Sequence, residues 1–235
     1  MLNIVRSVAQ PENCLTERAC YRRNMAELDH LIFASRDVDE GARIIAELTG
    51  ATAVVGGPHV GNGTHNALLT FNNRTYFEII GIDPNQPDPG RPRSFGLDDL
   101  ATPRLVAYAI HPTGDETLED VSAVMSAAGV NAGKIASMSR QKPDGDLLSW
   151  RLTTGGDSGV GSNGGALPFA IDWGDSPSPA MSLPSMGQLV SLTVSNPDAA
   201  IVASVNALGV GVVARQGPVG LVASVETPNG VVEIS

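Results

Sequence analysis

Cysteine, aromatic residues and positive charge are all scarce in this chain, and no apolar run is long enough to span a bilayer. The only cysteines, Cys14 and Cys20, sit near the start, so packing alone must hold the rest, as is usual for a cytoplasmic protein. Aromatics make up 4% of residues, so the core must come from Val, Ala, Leu and Ile. Fifteen basic side chains face 25 acidic ones, for a net charge of −10. That balance argues against nucleic acid and anionic membrane as partners, because both require basic patches. A small molecule is the expected partner. The opening stretch carries four arginines and no continuous apolar segment, which makes a poor secretory signal. Residues 1–24 are therefore expected to be a mobile N-terminal extension, with strand patterning starting at Met25.

From Met25 the pattern repeats. LDHLIFAS reads as a strand, and DVDEGARIIAELTG as a helix closed by Gly50. Ala42, Ile45, Ala46 and Leu48 supply its apolar spacing. TAVVGG, THNALLTF and RTYFEIIG follow as short strands, with FNNRT as a hairpin turn. The order is βαβββ over residues 25–101. After the proline-rich IDPNQPDPGRPRS the order restarts over residues 102–180, with RLVAYAIH, ETLEDVSAVMSAAG, GKIASMSRQ, DLLSWRLTT and ALPFAIDWG. Residues 181–235 repeat it in shortened form. The expected class is α+β, with tandem βαβββ modules paired into a cup-shaped mixed sheet and helices outside. One module cannot bury its sheet alone.

Two motifs mislead. Gly159–Gly164 has the spacing of a dinucleotide fingerprint, but a strand follows it where the mechanism needs a helix N-terminus. Gly156-Asp157-Ser158-Gly159 matches a serine-protease nucleophile segment. Three helices interrupt the strands, however, and no histidine stands in a matching context.

Glu78 in TYFEIIG sits among strand formers, and a buried carboxylate is costly unless paired, protonated or metal-bound. His30 lies in the first strand of the same module, where strict alternation groups Leu28, His30 and Ile32 on one face. First and last strands of a module can lie side by side, so His30 and Glu78 supply either half of a divalent-metal site or a satisfied buried pair. His65, at the start of THNALLTF, is a candidate general base or a strand-end residue satisfied by Asn66. His59 falls in a glycine-rich turn, and His111 at a strand end reads as structural. Trp150 and Arg151 alternate, Trp150 towards core and Arg151 towards Asp146 or Glu119. Trp173 lines the cup or closes the core.

DHLIFASRDVDEGARII, GTHNALL, YFEIIGIDP, KPDGDLLSWRL and LPFAIDWGD together resemble the glyoxalase-like branch of the vicinal-oxygen-chelate superfamily, from Met25 to about Ser178. The resemblance implies paired modules holding a divalent metal (Zn, Ni, Mn or Fe). It carries His30 and Glu78 over as metal ligands, joined by Asp172 or Glu233. Val106 and Leu189 fall where further histidines would stand. Glu78 and His65 are the catalytic candidates. The implied function is a metal-dependent lyase or isomerase acting on a small oxygenated molecule. A metal-free binding protein that sequesters a ligand is the alternative, and a ring-cleaving dioxygenase comes third. A homodimer is among the expected assemblies.

Overall fold

A computed structural model describes residues 25–71, 74–141, 145–156 and 159–235. The expected N-terminal extension lies outside these residues, as do Asn72 and Asn73 of the hairpin turn, residues 142–144 of the second turn, and Asp157 and Ser158 of the protease-like motif.

The first segment runs β1 (Ala26–Ala34), α1 (Val38–Thr49), β2 (Val54–His59), β3 (Thr64–Phe71) and β4 (Thr75–Ile82). Asp37 caps α1 by accepting from the Asp39 and Glu40 amides, and Gly50 ends it at φ 77°. The buried stripe of α1 is Val38, Gly41, Ile45 and Thr49, whereas Leu48 stays exposed, contrary to the apolar spacing alone. Packing explains the choice of stripe. A Cβ on Gly41 would come within 2.8 Å of both Ile79 and Ser35, so the helix rests directly on β4 through its glycine.

The second segment repeats this order as β5 (Arg104–Pro112), α2 (Leu118–Ala127), β6 (Ile135–Gln141), β7 (Leu147–Thr153) and β8 (Phe169–Asp172). Thr117 and Asp120 form a capping box at the start of α2. In each segment the first strand pairs in parallel with the last, β1 with β4 and β5 with β8. Antiparallel β1–β5 pairing joins the segments, giving the order β3-β4-β1-β5-β8-β7-β6, with β2 beside β3. This is the mixed α+β architecture expected.

Residues beyond 184 form β9 (Ser185–Asn196), α3 (Ala199–Leu208), β10 (Val213–Gln216), β11 (Gly220–Thr227) and β12 (Gly230–Ile234). The element order repeats, but the pairing does not. Strand β9 lies between β10 and β11, and among the described residues β12 pairs with β11 alone, at the sheet edge. First and last strands are therefore not neighbours here. A short parallel contact between β9 and β3 attaches this part to the sheet.

One face of the sheet carries the larger core. Leu31, Phe33, Phe77 and Ile79 meet Ile45 of α1, Leu118 and Met125 of α2, and apolar residues of the third segment. The other face is concave, with Ile32, Ile80, Val106, Trp150, Phe169 and Ile171 along it. Among the described residues no helix is long and apolar enough to cross a membrane.

Candidate functional site

The concave face encloses a cavity of about 340 Å³, a size that suits a small organic molecule. Its lining comes from residues 30 to 179, so the first two segments and their connections build it. Most of the wall is apolar or aromatic. Polar groups interrupt it, chiefly His30, His59, Asn66, Glu78 and Arg140, with Thr64, Asn62 and Arg91 beside them.

His30 reaches the cavity because β1 is irregular. Leu28 pairs with Ile110 and His30 with Ala109, which leaves Asp29 as an extra residue without a cross-strand partner. Such a bulge breaks alternation, so Leu28 packs with Leu31 and Phe33 on the helical side rather than sharing the face of His30. It also sets the Asp29 carboxylate beside the imidazole. Asp29 Oδ1 lies 2.6 Å from His30 Nδ1, and both residues are 2% exposed. Asp29 Oδ2 accepts from Trp173 Nε1 at 3.1 Å and lies 3.2 Å from His111 Nδ1. Burial works to raise the Asp29 pKa, but its contacts with His111 and His30 outweigh that and hold it at about 2. Burial opposes charge on His111 too, yet the Asp29 carboxylate lifts its pKa above the usual imidazole value. The His30 ring stacks on Tyr76, its register partner on β4, with centroids 4.3 Å apart. Burial, reinforced by the charges of Asp29 and Glu78, keeps the Tyr76 phenol protonated well beyond its ordinary range.

Two positions along β4 from Tyr76, alternation returns Glu78 to the cavity. Glu78 Oε2 stands 3.7 Å from His30 Nε2, and Oε1 stands 3.8 Å from His59 Nε2. Asn66 Nδ2 donates to Glu78 Oε1 at 2.7 Å and lies 3.3 Å from His59 Nε2. His59 Nδ1 lies 3.0 Å from Thr64 Oγ1. Burial pushes the His59 pKa down, opposed by the negative charge of Glu78. On β6, Ala136, Met138 and Arg140 alternate inward, and Arg140 Nη1 donates to Gly56 O on β2.

The structure therefore brings His30 and Glu78 together and leaves the other three candidates elsewhere. Thr64 and Asn66 line the cavity, so His65 between them turns to the opposite face, paired in register with Pro58 and Gly81. Phe169 and Ile171 of β8 face the cavity, which turns Asp172 outward. There Asp172 Oδ2 accepts from its cross-strand neighbour Arg151 at 2.9 Å, and Arg151 also reaches Glu119 at 2.7 Å. Glu233 is exposed on edge strand β12. Trp150 and Trp173 both line the cavity.

Asp29, His59, Asn66 and Arg140 belong to the site although sequence reasoning did not single them out for it. The Asp29-His30 doublet was the one visible signal, and strict alternation hides it by sending adjacent side chains to opposite faces.

For a divalent metal the donor set fits poorly. Among the described residues no group of three or more His, Cys, Asp or Glu side chains is arranged to hold one. The acid of the second segment is ion-paired outside the cavity, and Val106 is apolar and buried on the concave face. The Arg140 guanidinium is close enough to Glu78 for their charges to interact, so a cation there would meet a fixed positive charge.

A family model described as a glyoxalase-like domain matches residues 28–209. A hypothetical protein from Staphylococcus aureus superposes with a TM-score of 0.60 at 14% identity, covering 88% of this chain and 98% of that one. Methylmalonyl-CoA epimerase from Mycobacterium tuberculosis gives a TM-score of 0.42 at 14% identity, over 66% of this chain and 91% of that one. A methylmalonyl-CoA epimerase in complex with methylmalonyl-CoA and NH4+ gives 0.43 at 14%, over 66% and 99%. At such identities the likeness is one of fold. No curated protein sequence matches the chain.

Proposed function

The chain belongs to the glyoxalase-like domain family of the vicinal-oxygen-chelate superfamily, and from that premise we propose that it is an acid–base isomerase or lyase acting on a small oxygenated molecule. The observation carrying this reading is the Asp29–His30–Glu78 arrangement at the wall of a largely apolar cavity. A bond from Nδ1–H to Asp29 settles the tautomer of His30 and leaves Nε2 as the basic nitrogen. That nitrogen and the Glu78 carboxylate stand 3.7 Å apart, so a substrate C–H beside a carbonyl, lodged against them, meets two proton-transfer groups. Whichever of the two takes the proton from carbon is then its conjugate acid and returns that proton to the same intermediate, while its neighbour holds the substrate in place. Apolar walls exclude water, which strengthens each electrostatic contact. The metal-dependent version that the family resemblance implies is not adopted, because the donor set does not suit a cation.

The test is hydrogen–deuterium exchange at carbon. Small 2-oxo and 2-hydroxy compounds are incubated with the protein in D2O, and NMR follows loss of the C–H signal. Exchange is expected with wild type, falling roughly 100-fold or more in His30→Ala and Glu78→Gln. Compounds that bind without exchanging would replace this reading with ligand sequestration, which the aromatic walls also suit. Elemental analysis of protein purified without added metal checks the metal-free form. One equivalent of transition metal in wild type, absent from His30→Ala, overturns it.

A further inference from the structure

Arg140 is not needed for the proton transfer just described, and its surroundings are unusual for an arginine. It is 6% exposed on the cavity wall, in a chain of net charge −10. Three other arginines, among them the half-buried Arg93, have carboxylates in reach. Arg93 lies 2.5 Å from Asp98, Arg43 lies 2.6 Å from Glu47, and Arg151 is paired with Glu119 and Asp172. Among the described residues, Arg140 donates one hydrogen bond, to Gly56 O, and no carboxylate stands within ion-pair distance of it. A guanidinium has five N–H donors in a planar fork that matches a carboxylate. The part of the Arg140 fork not used on Gly56 O faces the cavity, where a planar anion can fill it. Glu78, the nearest acid on the wall, is occupied by Asn66 and lies between His30 and His59.

We infer that the molecule held in this cavity carries a carboxylate, and that Arg140 is the residue that binds it. This rests on reading the cavity as a small-molecule site. A carboxylate on the Arg140 fork anchors the molecule from β6, on the cavity wall that also carries Glu78 and His59. The remaining body then lies against Trp150, Trp173 and Phe169. Arg140 and Gly56 also tie β6 to β2, so the anion anchor sits where the two segments close over the cavity. The substrate class becomes a small, mainly apolar monocarboxylic acid with an oxygen function near its acidic C–H.

The experiment compares aromatic and aliphatic 2-hydroxy and 2-oxo carboxylic acids with their methyl esters, using ligand-observed NMR at pH 7. Wild type is expected to hold acids more tightly than the matching esters. Arg140→Gln should weaken the acids roughly 10- to 150-fold, the range for a hydrogen bond to a charged group, and leave the esters within about threefold. Arg140→Lys keeps the charge without the fork and should fall between. Wild type holding esters at least as tightly as acids, or holding none of the acids, overturns the assignment, as does undiminished acid binding in Arg140→Gln. If Arg140→Gln does not fold, the acid-against-ester preference of wild type decides alone. Acids bound through Arg140 without C–H exchange would sink the acid–base reading and spare this one. Exchange on esters bound as tightly as acids would do the reverse.

Discussion

Replacing Asp29 by Asn keeps the size of the side chain and removes its charge. The drop of the Asp29 pKa from its ordinary value of 3.8 to about 2 corresponds to roughly 2 kcal/mol of stability, at about 1.4 kcal/mol per decade. Asparagine also has an N–H2 group where Asp29 has a second acceptor. Either Trp173 Nε1–H or the His30 side then faces a donor, at about 1–3 kcal/mol for a buried group left unpaired. The variant should therefore lose about 3–5 kcal/mol at pH 5, within the range for breaking a buried charge pair. The pH dependence is the sharper signature. A depressed carboxyl stabilises the fold fully above its ordinary value and loses that contribution as pH falls towards 2. Urea unfolding of wild type and Asp29→Asn at pH 5 and pH 3 should show the gap narrowing by about 1 kcal/mol at the lower pH. His111 is protonated throughout that window and does not confuse the comparison. Proton exchange at substrate carbon should fall roughly 100-fold as His30 loses its orienting partner. A stability gap unchanged between pH 5 and pH 3 would refute the claim that Asp29 is a buried anion stabilised by its two imidazoles.

His111 should titrate above 6.5 in wild type and return towards that value in Asp29→Asn, read from imidazole NMR shifts. Its contribution to stability is complete below 6.5 and lost as pH rises through the elevated value. Gly56→Ala should cost about 1–3 kcal/mol in denaturant unfolding, because the new Cβ would sit 2.0 Å from Asn66 Oδ1. An unchanged midpoint would mean that Asn66 can move away freely. Glu78→Gln should lower the His59 pKa further, since the Glu78 charge is what opposes burial there. An upward move in the imidazole titration would contradict that.

Chain order, helix ends and the pairing of two βαβββ segments could be read from the sequence because they depend on local chemistry. Asp37 and Gly50 bracket α1, Thr117 and Asp120 cap α2, and alternating strand formers mark β1 and β4. His30 and Glu78 were legible for the same reason, each being a polar group in an apolar strand. Tertiary structure decided the rest, because register and bulges do not follow from composition. One unpaired residue at Asp29 turned Leu28 to the helical side and placed a carboxylate against His30. Alternation along β8 sent Asp172 to Arg151, and the pairing order β10-β9-β11-β12 left Glu233 on an outer edge despite its matching place in the element order. His59 and Asn66 come from the paired strands β2 and β3, but Arg140 comes from β6, which reaches β2 only when the sheet curves into a cup. Local propensity determines which residues form strands. Which side chains share a cavity depends on the sheet as a whole, since a shift of one residue reverses every face.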